Sequence, residues 1–270
     1  MLPPEYRRLP RPFRKYPPGR KRKGPREVVR EWMDRERIIL GIFGGMGPEA
    51  TAHLFRQIIS LTPAGKDQDH IPTLIYSLPQ VPERTRSIRE KDSSIIPYII
   101  EGVTRLEQAG ASFIAIPCNT VHYYYDEMQA AVSIPIIHMI RETVSETIKR
   151  HPRITKIGLL ATSGTIESGL YEKEIKTRGL DVIIPDDEVQ NEQVMKALFS
   201  IKAGEDMIKS GDLLAQAAGH LSAMGAGVII LGCTEIPLAF KPEKCEVPVI
   251  DATRVLSEVA VRMYLDLVQA

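Results

Sequence analysis

The chain alternates short apolar runs with stretches whose apolar residues recur at helical spacing. Ile38–Phe43 reads as a buried strand, followed by a glycine-rich turn and an amphipathic helix from about Pro48 to Leu61. Thr73–Leu78 reads as the next strand, Ser93–Ala109 as a helix and Ser112–Pro117 as a third strand. Near-continuous apolar strands separated by helices predict an α/β protein with parallel sheets covered on both faces. A parallel crossover needs a helix, and the helices bury both sides of the strands they connect.

The same order then repeats. Gly110-Ala111-Ser112-Phe113-Ile114-Ala115-Ile116-Pro117-Cys118 aligns without a gap on Gly225-Ala226-Gly227-Val228-Ile229-Ile230-Leu231-Gly232-Cys233. Leu106 and Leu221 stand four residues before each glycine, Gly41…Gly47 matches Gly158…Gly164, and Ile134-Pro135-Ile136-Ile137 matches Val247-Pro248-Val249-Ile250. The offsets are 117, 115 and 113 for the first glycines, the cysteines and the prolines. Landmarks kept in order at a nearly constant offset predict two copies of one α/β unit.

Composition changes the picture at one end only. At 43% hydrophobic and 26% charged, the 270 residues have enough apolar content for a buried core. The formal charge of +1 is a cancellation: residues 1–37 hold 13 Lys/Arg against 5 Asp/Glu, and the remainder 22 against 29. Residues 1–37 also carry seven of the 20 prolines, which block regular structure, so they read as a flexible basic extension. A polyanion-binding arm is the functional alternative for this segment, and Met33 is a possible internal start. No apolar run reaches membrane-spanning length and no apolar segment follows the basic terminus, so neither a membrane span nor a secretory signal is expected. Three cysteines without CxxC or zinc spacing fit reduced thiols in the cytoplasm, with no metal site.

Two of those cysteines carry the candidate chemistry. Cys118 and Cys233 each end a predicted strand beside a predicted helix start, where parallel sheets bind ligands and where backbone N–H groups favour anions. A thiol in that setting is expected to have a lowered pKa. Two thiols facing one ligand from opposite sides suit inversion of an amino acid at Cα, with a thiolate removing a proton from one face and a thiol delivering one to the other. Cys245 has no counterpart and reads as a small core residue.

Gly44-Gly45-Met46-Gly47-Pro48, Pro117-Cys118-Asn119-Thr120, Leu159-Leu160-Ala161-Thr162-Ser163-Gly164-Thr165 and Gly232-Cys233-Thr234-Glu235 together resemble the cofactor-independent aspartate/glutamate racemase superfamily, nearest its aspartate racemase branch, over about residues 38–268. The resemblance implies two flavodoxin-like lobes related by a pseudo-twofold duplication, with an active site in the cleft between them. Residues 38–138 plus 252–270 would form one lobe and 139–251 the other. It implies a homodimer, no cofactor, and Cys118 and Cys233 as the acid/base pair. Arg84, in Pro-Gln-x-Pro-x-Arg-Thr, and Lys202, in Lys-Ala-Gly, match the family's substrate-binding cations. A dicarboxylate such as aspartate needs a second cationic clamp, and guanidinium can bind one bidentately. Asn119, Thr120, Thr234, Met46, Gly47 and Thr162 complete the expected substrate contacts. Glutamate, or a broad range of amino acids, is the alternative substrate reading; a non-catalytic protein binding polyanions is the alternative of another class, with nucleic acid not expected as a partner. Gly41-x-x-Gly44-Gly45-x-Gly47 departs from a dinucleotide fingerprint. His122 and His138 read as structural, and Tyr123-Tyr124-Tyr125 as packing.

Overall fold

A computed structural model describes residues 37–269. The expectations for the basic extension and for Met33 lie outside the described residues.

Two parallel sheets form the framework. The first holds β1 (Leu40–Gly44), β2 (Thr73–Ser77) and β3 (Phe113–Ala115) in the order β2-β1-β3. The second holds β4 (Lys156–Leu160), β5 (Asp181–Ile183), β6 (Val228–Leu231) and β7 (Val249–Asp251) in the order β5-β4-β6-β7. The fold is therefore the expected α/β arrangement of two lobes, each with its own parallel sheet. The helix Pro48–Leu61 begins with proline, whose missing N–H is no loss there, and buries Ala50, Thr51, Leu54 and Ile58 along one stripe.

The repeat is visible in packing as well as in sequence. A Cβ on Gly41 would lie 3.0 Å from that of Ala111 and 3.3 Å from Leu106. On Gly158 it would lie 3.1 Å from that of Ala226 and 3.3 Å from Leu221, the aligned residues. The helices Ile96–Gln108 and Met207–Ala223 both finish at a glycine with φ of 95°, Gly110 and Gly225. In each, the next N–H reaches back five residues, Ala111 to the Leu106 carbonyl and Ala226 to that of Leu221.

Strand alternation sorts the core into three parts. Leu40, Ile42, Phe113 and Ala115 of the first sheet and Ile157, Leu159, Val228 and Ile230 of the second belong to one continuous buried cluster. Phe43, Ile114 and Ile116 pack into a separate cluster on the first sheet's other face, and Leu160, Ile229 and Leu231 into a third. The last helix, Ala252–Gln269, supplies Val255, Leu256 and Val259 to the common cluster and packs on Pro48–Leu61 and Met139–Arg150.

The segment matched in the repeat to residues 247–250 forms a single bridge. Around Pro135 the chain makes only the parallel bridge Ile114–Ile136, whereas its counterpart β7 is a full strand. Side chains hold the bridge's outer edge. Gln129 accepts from the Ile136 N–H at 2.9 Å and donates to the Ile134 carbonyl at 3.0 Å, while Tyr125 donates to the Ile136 carbonyl at 3.0 Å. β3 is also shorter than the predicted Ser112–Pro117. The Cys118 N–H turns back onto the Ile116 carbonyl at 2.8 Å, which takes the chain out of the ladder.

Candidate active site

The site is built from strand ends. After β1, Gly45 has φ of 95°, and a Cβ there would come within 2.5 Å of the Leu78 backbone, so only glycine fits. Thr51 locks this turn by accepting from the Gly45 N–H and donating to the Gly47 carbonyl, both at 2.9 Å. After β3, Cys118 and Asn119 lead into a 3₁₀ turn, Thr120–Tyr124. After β4, Thr162 caps the helix Ser163–Glu167 by accepting from the Thr165 N–H at 3.2 Å. After β6 come Cys233, Thr234 and Glu235, and then the short helix Ile236–Ala239.

These ends converge on one small cavity of about 10 Å³, roughly the space of a single water. Of the ten residues singled out from the sequence, Cys118, Cys233, Arg84, Lys202, Asn119, Thr120, Thr234, Met46 and Thr162 line it. Gly47 does not, but a Cβ there would lie 3.1 Å from Glu235 Oε1 in the cavity wall. Lys202, in the last turn of Lys196–Ala203, also borders a larger cavity of about 780 Å³ on the side of His53 and Gln57. Arg84 opens the helix Arg84–Glu90 and donates to the Val81 and Pro82 carbonyls at 3.3 and 3.2 Å.

The cysteine loops differ in their neighbours. Thr120, two residues after Cys118, shares hydroxyl hydrogen bonds with Thr162 at 3.1 Å and Thr165 at 2.8 Å. Glu235, two residues after Cys233, accepts on Oε2 from the Cys233 thiol and from the Thr234 hydroxyl, each at 3.1 Å. Asn119 accepts from the Tyr171 hydroxyl at 2.7 Å. His122 is satisfied internally: its Nε2 accepts from the Met139 N–H at 3.2 Å, so Nδ1 carries the proton and donates to the Cys118 carbonyl at 2.8 Å. Burial holds its pKa down. His138, N-cap of Met139–Arg150, accepts from the Arg141 N–H at 3.3 Å. Neither histidine lines the cavity.

The expected lowering of the thiol pKa values is overturned. Burial pushes the Cys118 thiol up, and the opposing pull of Arg84 and Lys202 is smaller. Burial pushes Cys233 well up, and the Glu235 carboxylate adds to the shift. Desolvation of a thiolate outweighs the short helix ends on which the expectation rested. Lys202 is also desolvated, yet Cys233 and Glu235 raise its pKa and keep the ammonium charged.

Two polar atoms in the cavity wall are buried without a hydrogen-bond partner among the described residues: the donor Asn119 Nδ2 and the acceptor Glu235 Oε1. Glu83, Thr85, Gly232 and Glu235 line the cavity without having been singled out. Glu235 had a signal, since an acidic residue stands where the first repeat has Thr120. Among the described residues no three His, Cys, Asp or Glu side chains form a metal-binding group, and no helix is long and apolar enough to cross a membrane.

The model of the Asp/Glu/hydantoin racemase family matches residues 43–260. The chain belongs to this family. It is 34% identical over 231 residues to the broad specificity amino-acid racemase of Bacillus subtilis, covering 84% of this chain and 98% of that one. The solved aspartate racemase of Picrophilus torridus superposes with a TM-score of 0.75 at 28% identity, covering 84% of this chain and 94% of that one. The glutamate racemase of Aquifex pyrophilus is 29% identical over 177 residues, 63% of this chain and 65% of that one. Family members with three different substrate descriptions are thus similar to this racemase.

Proposed function

We propose that this racemase interconverts L- and D-aspartate without a cofactor, using Cys118 and Cys233 as the two acid/base groups. The observation that carries the reading is the convergence of both cysteines, from equivalent loops of the repeat, on one cavity that also holds Arg84 and Lys202. Two cations suit the two carboxylates of aspartate. The orphaned Asn119 Nδ2 offers a donor to a carboxylate, and the orphaned Glu235 Oε1 an acceptor to the α-ammonium, so the wall matches a zwitterion. The hydroxyls of Thr120, Thr162 and Thr234 complete the polar lining, with Met46 and Gly47 closing the first turn. When the Cα proton leaves, negative charge builds on the α-carboxylate. The cations and donors stabilise that charge in a site too dry to screen it. In this reading the lobes are residues 38–138 with 252–270, and 139–251.

Cys118→Ser and Cys233→Ser test the mechanism through racemisation and Cα-proton exchange in D₂O. Each variant is expected to lose about 10²- to 10⁴-fold in racemisation, the usual worth of a positioned acid or base. Full activity in either variant rejects the two-thiol assignment.

A broad-specificity reading is favoured by the Bacillus subtilis relative and by Arg84, whose guanidinium is held by the Val81 and Pro82 carbonyls. Arg84→Ala separates the two. For an aspartate enzyme kcat/KM on aspartate falls about ten- to hundredfold, the worth of a charged hydrogen bond, while substrates with neutral side chains are little affected. Unchanged activity on aspartate favours the broad reading.

A further inference from the structure

We propose that Glu235 decides which cysteine carries the proton in the free enzyme: Cys233 rests as the thiol, bonded to Glu235 Oε2, and Cys118 is the group that ionises first. The proposal rests on the two-cysteine reading above and adds an order to it.

The two thiols are nearly equal in burial, 5% exposed for Cys118 and 6% for Cys233. Desolvation therefore penalises both thiolates alike, and what distinguishes them is their neighbours. Cys233 donates to Glu235 Oε2 at 3.1 Å, a bond that exists only while the sulfur keeps its proton. At the equivalent place beside Cys118 the repeat has Thr120, whose hydroxyl is taken up by Thr162 and Thr165. No carboxylate occupies that position. The charged and titratable groups facing Cys233 are Glu235, Lys202 from the helix Lys196–Ala203, and Tyr171. Those facing Cys118 are Arg84 from the helix Arg84–Glu90, Lys202 and, through space, Glu235. The contact carboxylate opposes a thiolate at Cys233, and a guanidinium favours one at Cys118.

This ordering makes the two directions of the reaction start differently. The enantiomer whose Cα proton faces Cys118 reacts with the form in which Cys118 has ionised and Cys233 keeps its proton. Its proton passes to the Cys118 sulfur, the Cys233 proton passes to the opposite face of Cα, and the enzyme is left with its proton on Cys118. The other enantiomer reacts with that second form.

The test is alkylation of the free enzyme by iodoacetamide across pH, with each cysteine followed by peptide mass spectrometry. The partly exposed Cys245 serves as the internal reference. Access affects the maximal rate of each thiol but not the pH at which it reaches half that rate. In the unmodified protein the midpoint of Cys118 is expected to lie at least about one pH unit below that of Cys233, a tenfold difference in thiolate at a given pH. Glu235→Gln is expected to close most of that gap by lowering the Cys233 midpoint, and Glu235→Asp to retain part of it. Coincident midpoints in the unmodified protein, or a Cys233 midpoint unmoved by Glu235→Gln, overturn the proposal. The readout needs no turnover. Failure of the two-cysteine reading would instead appear as activity surviving in the serine variants, with the alkylation order intact.

Discussion

At Gly110 and Gly225 the two halves of the molecule end a helix in the same way; at Thr120 and Glu235 they part. The first pair keeps one backbone conformation and one hydrogen-bond pattern. The second pair differs in charge, and so do the groups around it. His138 and Asp251, also equivalent by sequence, cap the helices that follow them with a histidine nitrogen in one half and a carboxylate in the other. Backbone packing admits few alternatives, since a side chain on Gly41 or Gly158 would crowd an alanine and a leucine in the same way. The strand ends face the cleft, where a change of charge alters chemistry without disturbing the sheets. Duplication has thus preserved the framework and diverged at its rim.

The comparison can be pressed at Gly47 and Gly164. A Cβ on Gly164 would lie 2.6 Å from Thr85 Oγ1 and 2.7 Å from Thr85 Cα, so Gly164→Ala must push the helices Ser163–Glu167 and Arg84–Glu90 apart. Its expected destabilisation is about 1–3 kcal/mol, read by urea unfolding. Gly47→Ala meets only Glu235 Oε1 at 3.1 Å, a side-chain atom that can move, and is expected to lose less than half as much. Equal losses would mean that the two helix starts are still packed alike.

The next effect concerns pH. Burial, with help from His122 and Arg141, holds the His138 pKa down to about 3. Between that value and the ordinary 6.5 the unfolded chain binds a proton that the native state refuses. Stability from this site is therefore full above about pH 6.5 and declines as pH falls toward 3. Burial raises the pKa of Asp251, which gives the opposite slope: the native state holds its proton longer, and stability declines as pH rises through the native value. His138→Asn, which keeps a capping oxygen, is expected to flatten the acid-side decline in thermal unfolding, and Asp251→Asn to leave it in place. Equal acid slopes for both variants would show that the two caps are not opposed.

The smallest effect is expected at the link between Arg89 and Glu167, which joins the same two helices by bonds of 2.6 and 2.5 Å on an exposed surface. Arg89→Ala should cost under about 1 kcal/mol and less still at high salt. A larger, salt-insensitive loss would place the weight of the contact here and not at Gly164.

The framework was legible because apolar alternation and glycine placement are local signals. Ile38–Phe43 and Leu40–Gly44 differ by a residue or two at their ends, the usual uncertainty of a boundary. The difference between the bridge at Pro135 and the strand β7 was not legible, because matching sequence does not show that Gln129 and Tyr125 will fold back onto the first one's edge. Placement at strand ends singled out the two cysteine loops, whereas their meeting in one site with Arg84 and Lys202 was expected only from the family resemblance. The direction of the thiol shifts did not, because it depends on how completely Cys118 and Cys233 are desolvated. Depth of burial is a property of the assembled lobes.

In the proposed two-cysteine mechanism, the core common to both sheets has a bearing on rate. Proton transfer is steeply sensitive to distance, and a displacement of about 1 Å can cost a hundredfold. In that reading the spacing of Cys118 and Cys233 is set by two sheets whose Leu40, Ile42, Ile157 and Leu159 belong to one packed cluster together with side chains of the helices Pro48–Leu61, Met139–Arg150 and Ala252–Gln269. A solid of that density deforms little. The tolerance to which this enzyme is machined therefore resides in aliphatic side chains that never meet a proton.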